Sequence, residues 1–206
     1  MFGDHLLFDS YSEKNAMKIF KRIDKKLLLK KPVISIGGIS GTRKSETAHQ
    51  LAEIFINNGK QCHIISGDDY YKTPWHIRND VRKKNLDIIG PEEWDWQRLS
   101  WTFETFRNPV YSHVYISLLS KYSTGVIDSQ IDKNSCDILI FEGLYACHLK
   151  IDAEVKVHIG DTNPESTFSF RHKRHKEDED SDFRKSVVLR ECQAIGELMS
   201  NATIIL

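Results

Sequence analysis

The stretch Val33-Ile-Ser-Ile-Gly-Gly-Ile-Ser-Gly-Thr-Arg-Lys-Ser45 decides the fold. It opens with a β-branched run and passes through glycines into residues 46–56, whose apolar side chains recur at helical spacing. A strand, a glycine-containing loop and a helix, in this order, form the context that a GxxxxGK[ST] phosphate-binding loop requires. Gly38, Lys44 and Ser45 fit that pattern, whereas Arg43 stands where it has its second glycine.

Each residue type in such a loop has a physical role. Small residues let backbone N–H groups surround a phosphate, the lysine reaches its β and γ oxygens, and the serine hydroxyl can ligate magnesium. The Cβ atom of Arg43 has to fit where the loop passes closest to the phosphates, so its side chain points outward or lies beside the γ-phosphate. A plain strand-to-helix connection remains the alternative. The predicted nucleotide-binding residues are Gly38, Ile39, Ser40, Gly41, Thr42, Arg43, Lys44 and Ser45.

Apolar runs of strand length alternate with helical stretches along the rest of the chain. The runs cover residues 61–66, 137–141, 155–159 and 203–206. Helical periodicity occupies residues 92–107, 163–176 and 184–199. This alternation predicts an α/β fold with a mostly parallel five-stranded sheet and helices on both faces.

A separate helix is expected before the first strand. Ser10 and Glu13 match a capping box, and the apolar periodicity that follows predicts an amphipathic helix over residues 11–30, which Pro32 ends. We therefore expect an N-terminal extension, residues 1–31, followed by one domain over residues 32–206.

Composition excludes several classes of protein. Lys plus Arg and Asp plus Glu both number 29, so no overall field attracts nucleic acid or an anionic membrane. The four cysteines lie far apart, without the spacing of a zinc site or a disulfide framework. With no basic leader and no apolar run of about 20 residues, the chain is expected to be soluble and cytoplasmic.

Acidic residues follow two of the predicted strands. Asp68 and Asp69 come after the second strand, and Glu142 comes after the third. Parallel strands deliver their carboxyl ends to one crevice, so these carboxylates should lie near the phosphate loop. An aspartate there can accept the proton of an attacking hydroxyl, and a glutamate can hold magnesium-bound water. A solvated turn that caps the next helix is the alternative for Asp68 and Asp69.

With these motifs, the chain resembles the uridine kinase and phosphoribulokinase family of P-loop kinases, on GISGTRKS, DDYY, PVYS and DILIFEG. The resemblance covers about residues 33–206 and implies the P-loop NTPase fold, an ATP-dependent phosphotransferase reaction onto a hydroxyl group, and Mg²⁺ as cofactor. It implies Asp68 as general base, with Asp69 as the second candidate, and Lys44 as a phosphate ligand. Ser45 and Glu142 would hold the metal.

A small lid is also implied, around residues 165–185. Arg171 and Arg174 resemble the family's lid arginines, which neutralise charge in the transition state, although ordinary exposed helix charges remain the alternative. The charge run over residues 173–182 is typical of a mobile loop.

The sequence specifies the chemical identity of the phosphate acceptor less closely than that of the phosphate donor. The predicted substrate-binding residues are Asp69, Tyr70, Tyr71, Lys72, Trp96, Tyr111 and His113. A nucleoside ranks first, yet residues 88–91 (IIGP) lack the aspartate and histidine of the D-H-P segment that helps uridine kinases hold ribose. Nicotinamide riboside, pantothenate or a sugar phosphate remain alternatives, as does a kinase-derived regulatory protein that binds nucleotide with little turnover. The resemblance also suggests a homo-oligomer.

Overall fold

The computed structural model describes residues 6–119, 125–173 and 181–206. Its α-helices are α1 Ser10–Arg22, α2 Lys44–Asn57, α3 Trp75–Lys84, α4 Trp96–Arg107, α5 Phe168–Lys173 and α6 Asp182–Leu198. Its strands are β1 Val33–Gly37, β2 Cys62–Ser66, β3 His113–Leu119, β4 Val126–Asp132, β5 Ile138–Glu142, β6 Val155–His158 and β7 Ile204–Ile205.

Five strands form one parallel sheet in the order β2-β5-β1-β6-β7. They arise from the five apolar runs of the sequence, so the predicted α/β fold with a parallel five-stranded sheet is confirmed. Both β1 and β5 are buried along their whole length, as expected for central strands covered on two faces.

The register of this sheet aligns three strand ends. Glu142 at the end of β5 pairs with Ile36 of β1 on one side and with Ser66 of β2 on the other. The loops that follow these strands therefore leave the sheet at the same level and on the same edge. That edge is where open parallel sheets place their ligands.

Each face of the sheet has its own apolar core. On one face α1 and α2 contribute Ile19, Leu51 and Phe55, which pack with the sheet residues Ile36 and Val157. On the other face α4 and α6 pack against β5 with a larger aromatic cluster. Its central members are Trp94, Leu99, Phe103, Phe141 and Ile195.

Several helix boundaries differ from the sequence prediction. Helix α1 ends at Arg22 rather than at residue 30, because Ile23 takes an extended conformation and a 3₁₀ turn, Leu27–Leu29, follows. Helix α4 begins at Trp96 rather than at residue 92, because Pro91–Glu93 form another 3₁₀ turn. The helix predicted over residues 163–176 divides, in its described part, into the 3₁₀ turn Pro164–Thr167 and α5, and residues 174–176 lie outside the described residues.

The hairpin β3-β4 and the helix α3 were not predicted. The hairpin is a two-stranded antiparallel sheet separate from the main one. Its apolar residues Tyr115, Val126 and Ile127 are exposed. The sequence of the hairpin therefore lacks the simple alternation of apolar and polar residues that predicts a half-buried strand. Helix α3 buries only the arginines Arg78 and Arg82, which gives it no apolar stripe.

No helix in the described ranges is long and apolar enough to cross a membrane. The four cysteines are free thiols, and Cys136, Cys147 and Cys192 are buried. Burial raises the pKa of Cys136 to about 11, so its thiol stays protonated at neutral pH.

Substitution of Gly67 should test how tightly the sheet edge is packed. A Cβ atom on Gly67 would overlap with Cζ2 of the buried Trp94. Gly67→Ala should therefore lower the free energy of unfolding by about 1–3 kcal/mol in urea titrations.

Gly196→Ala is the matched control, because a Cβ atom there meets only Thr162 Cγ2 at 3.7 Å and the residue lies inside helix α6. It should be neutral or stabilising by up to about 1 kcal/mol. Equal effects of the two substitutions would show that the contact between Gly67 and Trp94 is not tight.

Candidate active site

The phosphate loop runs from the end of β1 to the start of α2. Gly38 has φ +146°, and a Cβ atom there would lie 2.5 Å from the carbonyl oxygen of Ile159. Gly41 has φ +89°, and its Cβ would meet Arg171 Cγ at 2.8 Å. Both positions therefore require glycine. The loop directs the N-terminal backbone amides of α2 toward the site, as anion binding requires.

Lys44 is the first residue of α2 and is almost buried. Its ammonium group donates to the carbonyl oxygen of Ile39, at 2.9 Å, and Ile39 belongs to the same phosphate loop. The buried ring of His158 at the end of β6 is close enough to interact with this charge. Burial, and then the Lys44 charge, hold the pKa of His158 below its ordinary value, so the ring is neutral at neutral pH. His158 was not predicted from the sequence, in which its position at the end of a strand is the signal.

Glu142 connects the phosphate loop to the acidic turn. Its carboxylate accepts one hydrogen bond from the Ser45 hydroxyl, at 3.1 Å, and another from the Ser66 hydroxyl, at 2.8 Å. Glu142 is 6% exposed, so these hydroxyl donors stabilise a carboxylate that has lost most of its water. The predicted metal residues Ser45 and Glu142 thus lie together.

These two side chains fit a magnesium ion. Hydroxyl and carboxylate oxygens are the hard ligands that Mg²⁺ prefers, and Mg²⁺ usually takes only one or two protein ligands beside phosphates and water. Among the described residues there is no group of three or more His, Cys, Asp or Glu residues that could hold a metal. The chemistry of Ser45 and Glu142 therefore suits a metal that arrives with a nucleotide.

Asp68 and Asp69 lie in the 3₁₀ turn Gly67–Tyr70 that follows β2, but their environments differ. Asp68 is half-buried, and none of the described residues donates a hydrogen bond to its carboxylate. Asp69 is 4% exposed and accepts from the backbone N–H of Leu119, at 3.0 Å, which fixes the end of β3. The Asp68 carboxylate is therefore the more accessible of the two. Burial, with the nearby carboxylates of Asp68 and Glu142, raises the pKa of Asp69 to about 6.

Arg171 of α5 lies against the phosphate loop. Its side chain contacts the Gly41 backbone, and its guanidinium donates to the Pro164 carbonyl oxygen at 3.0 Å and to the Thr167 hydroxyl at 2.6 Å. Only 5% of Arg171 is exposed. The other predicted lid arginine, Arg174, lies outside the described residues, as do residues 175–180 of the acidic segment.

The predicted acceptor residues divide into buried and accessible groups. Tyr70 and Tyr71 lie in the core, where the Tyr70 hydroxyl bonds with Thr102, and Arg78 stacks on the Tyr71 ring at 3.4 Å. Trp96 is half-buried and packs on His148, with ring centroids 4.6 Å apart. Lys72 is exposed.

Two more of these residues lie at the start of the hairpin. Tyr111 packs edge-on against Trp101, and the His113 ring bonds with the Ser112 hydroxyl. The described contacts thus bring together the phosphate loop, Glu142 and the acidic turn, but no single contact network includes all of the acceptor residues.

A cavity of about 350 Å³ lies beside Lys72. Its charged lining residues are Lys72, Arg78, Asp87, Glu92 and Glu93. Each of the three acids is paired with a cation that does not line the cavity, namely Arg190, Lys150 and Arg82. In contrast, Lys72 and Arg78 donate to the backbone carbonyls of Glu92 and Thr73. Lys72 and Arg78 are therefore the two charged lining residues that have no carboxylate partner in the described part of the chain.

Asp69 should make stability depend on pH. Its ordinary pKa is 3.8 and its pKa in the folded protein is about 6. Between these values the folded protein keeps a proton that the unfolded chain loses, so the contribution to stability falls as pH rises and is lost above pH 6. The variant Asp69→Asn retains an oxygen for the Leu119 N–H but does not titrate.

We expect the stability of Asp69→Asn relative to the unsubstituted protein to increase by about 2 kcal/mol between pH 4 and pH 7. Urea unfolding at a series of pH values measures this difference, and other titrating groups cancel in the comparison. Parallel stability profiles for the two proteins would contradict the raised pKa.

Comparisons with known proteins place the chain among kinases. A uridine kinase of Ureaplasma urealyticum is 29% identical to it over 122 residues, which are 58% of this chain and 56% of that protein. The chain therefore spans about half the length of this curated relative.

Solved structures show the same fold at low sequence identity. Phosphoribulokinase from Rhodobacter spheroides superposes with a TM-score of 0.62 at 18% identity, over 84% of this chain and 68% of that one. D-glycerate 3-kinase from Cryptococcus neoformans does so with a TM-score of 0.53 at 11% identity, over 92% and 85%. The model of the phosphoribulokinase/uridine kinase family matches residues 33–177, so this chain belongs to that family of ATP-dependent kinases.

Proposed function

We propose that the protein transfers the γ-phosphate of ATP to a hydroxyl group of a small metabolite, with Asp68 as the general base. The observation that carries this proposal is the Glu142 carboxylate, which bonds with Ser45 of the phosphate loop and with Ser66 beside the acidic turn. It brings a phosphate-binding element and a potential base to one edge of the sheet. A pure phosphate-binding module has no need of that second element.

The chain's own residues supply most of the catalytic steps. The α2 amides and Lys44 hold the β- and γ-phosphates, and Arg171, already packed on Gly41, is near enough to neutralise charge on the transferring group. Asp68 accepts the proton of the acceptor hydroxyl as its oxygen attacks the γ-phosphorus in line with the leaving ADP oxygen. Magnesium held by Ser45 and Glu142 would neutralise charge on the phosphate oxygens.

A nucleoside is the first candidate acceptor. The sequence likeness to a uridine kinase supports it, and the exposed rings of Trp101 and Tyr115, with Tyr111 between α4 and β3, offer stacking surfaces. The missing acid and histidine in residues 88–91 weigh against it, since Ile88 and Ile89 offer no hydrogen bonds to ribose hydroxyls.

The second candidate is a hydroxyl compound that carries an anionic group, such as a sugar phosphate or pantothenate. The cavity beside Lys72 favours it, because Lys72 and Arg78 are lining cations that pair with no carboxylate among the described residues and could bind an anionic group. A regulatory protein without turnover is a weaker alternative. The sequence supports it through Arg43, the missing D-H-P residues and the acidic lid segment. The first of these is weakened, because the Arg43 side chain points away from the loop toward Asp9.

Substitution of the two aspartates should separate the base from its neighbour. Asp68→Asn should lower kcat by about 100- to 10,000-fold, because general-base catalysis contributes that much, while the Kd for Mg-ATP stays nearly unchanged. Asp69→Asn should retain most of the activity. A reversed pattern would assign the base to Asp69 instead.

An acceptor panel tests the function itself. We expect one acceptor among uridine, cytidine, nicotinamide riboside, pantothenate and sugar phosphates to stimulate ADP release from Mg-ATP, and Lys44→Ala to abolish that release. For an anionic acceptor, Lys72→Ala should raise KM by about tenfold, whereas for a nucleoside it should have little effect. ATP binding without stimulation by any acceptor would favour the regulatory alternative.

A further inference from the structure

Arg43 occupies a backbone position that suits glycine. It has φ +62° and ψ +35° and is the residue immediately before helix α2, at the point where the GxxxxGK[ST] pattern has its second glycine. A side chain with a Cβ atom is disfavoured in this left-handed conformation. Compensating contacts are therefore expected around Arg43, and their location shows what holds the loop in place.

The Arg43 side chain leaves the loop and enters a cluster of three partners. Its Nε atom donates to Asp9 Oδ2 at 2.6 Å, and its guanidinium carbon lies 4.0 Å from the centre of the Phe170 ring and 5.0 Å from that of Tyr11. A carboxylate and two aromatic faces are the groups that bind guanidinium most strongly in proteins. We call Asp9, Tyr11, Arg43 and Phe170 the Arg43 cluster.

The N-terminal segment holds Asp9 in a fixed position. Asp9 caps α1 by accepting from the Ser12 backbone N–H at 2.9 Å, and α1 packs on α2 through Ala16 and Ile19. Burial raises the pKa of Asp9, but the Ser12 N–H and the Arg43 guanidinium lower it by more, and the net pKa lies below its ordinary value. Asp9 is therefore a charged group that a packed helix presents to Arg43.

The cluster also reaches the other side of the loop. Phe170 lies on α5 and is 4% exposed, and its neighbour Arg171 packs against the Gly41 backbone. Arg43 thus contacts both the N-terminal segment and the helix that carries Arg171. The family model begins at residue 33, so Asp9 and Tyr11 belong to a part of the chain that it does not cover.

We propose that Arg43 is a positioning residue of the phosphate loop, and that Asp9, Tyr11 and Phe170 set the affinity for ATP by holding its side chain away from the phosphates. The inference rests on the proposed function for its ligand, ATP, but not for the transfer step. Lys44 and Ser45 follow Arg43 directly in the chain. The backbone conformation at Arg43 therefore determines the positions from which the Lys44 ammonium and the Ser45 hydroxyl extend toward the phosphates. The N-terminal extension then acts as part of the nucleotide site.

The first test is Asp9→Asn, with the Kd for Mg-ATP measured by calorimetry without any acceptor. Asparagine caps helices as well as aspartate does, so α1 keeps its cap while the charge that holds Arg43 is lost. We expect the Kd to rise by about tenfold. Asp24→Asn is the matched control, since Asp24 is an exposed acid of the same extension whose carboxylate accepts from the Lys26 N–H and from no other described residue. Its Kd should not change.

A double-mutant cycle then separates positioning from a general structural role. In an Arg43→Gly background the left-handed backbone is unstrained, and Asp9→Asn should change the Kd by less than about twofold. Tyr11→Ala should behave like Asp9→Asn in both backgrounds. An equal effect of Asp9→Asn with and without Arg43 would overturn the proposal, as would no effect in either.

The ATP-binding results can be distinguished from the acceptor-panel results that test phosphoryl transfer. If ATP binds and the cycle shows coupling although no acceptor stimulates turnover, the transfer function fails and the role of Arg43 stands. If the unsubstituted protein binds no Mg-ATP, both fail.

Discussion

At the end of β5, the Glu142 carboxylate accepts hydrogen bonds from two hydroxyl groups in different loops, and the geometry of the site depends on it. A carboxylate this buried is stable only with such donors, so Ser45 and Ser66 are held by the same group. The parallel register makes this possible, because Glu142 is level with Ile36 of β1 and Ser66 of β2. The start of α2 and the turn with Asp68 therefore have a fixed relative position before any ligand binds.

The sheet could be predicted from sequence because its five strands are short, continuous apolar runs, which is what burial on both faces requires. The hairpin was missed for the opposite reason: residues such as Tyr115 and Ile127 are exposed apolar side chains on a partly solvated surface. Helix α3 was missed because its buried side chains are Arg78 and Arg82. Arg82 is stabilised there by Glu93 and Glu191, a set of charges that comes from three separate segments.

Within the site, the residues at strand ends were the predictable ones. Glu142 ends the apolar strand β5 and Asp68 lies in the turn that follows β2, so their positions are determined by a local pattern and by the parallel sheet. The tyrosines of the DDYY segment were not predictable in the same way, since a 3₁₀ turn directs both rings into the core. The direction of the Arg43 side chain also depends on tertiary structure, because Asp9 and Phe170 lie in distant parts of the chain.

The two halves of the site rest on different physical constraints. On the phosphate side, Gly38 and Gly41 each lie against other backbone or side-chain atoms, so that half tolerates little variation. On the acceptor side, Trp94 fills the space over Gly67 and Gly143, and Tyr71 and Arg78 fill the space behind the acidic turn. In the proposed reaction, a small acceptor would bind outside this packed layer, where Lys72 is exposed. Selectivity in that reaction would then depend on surface side chains that can change without disturbing the Glu142 network.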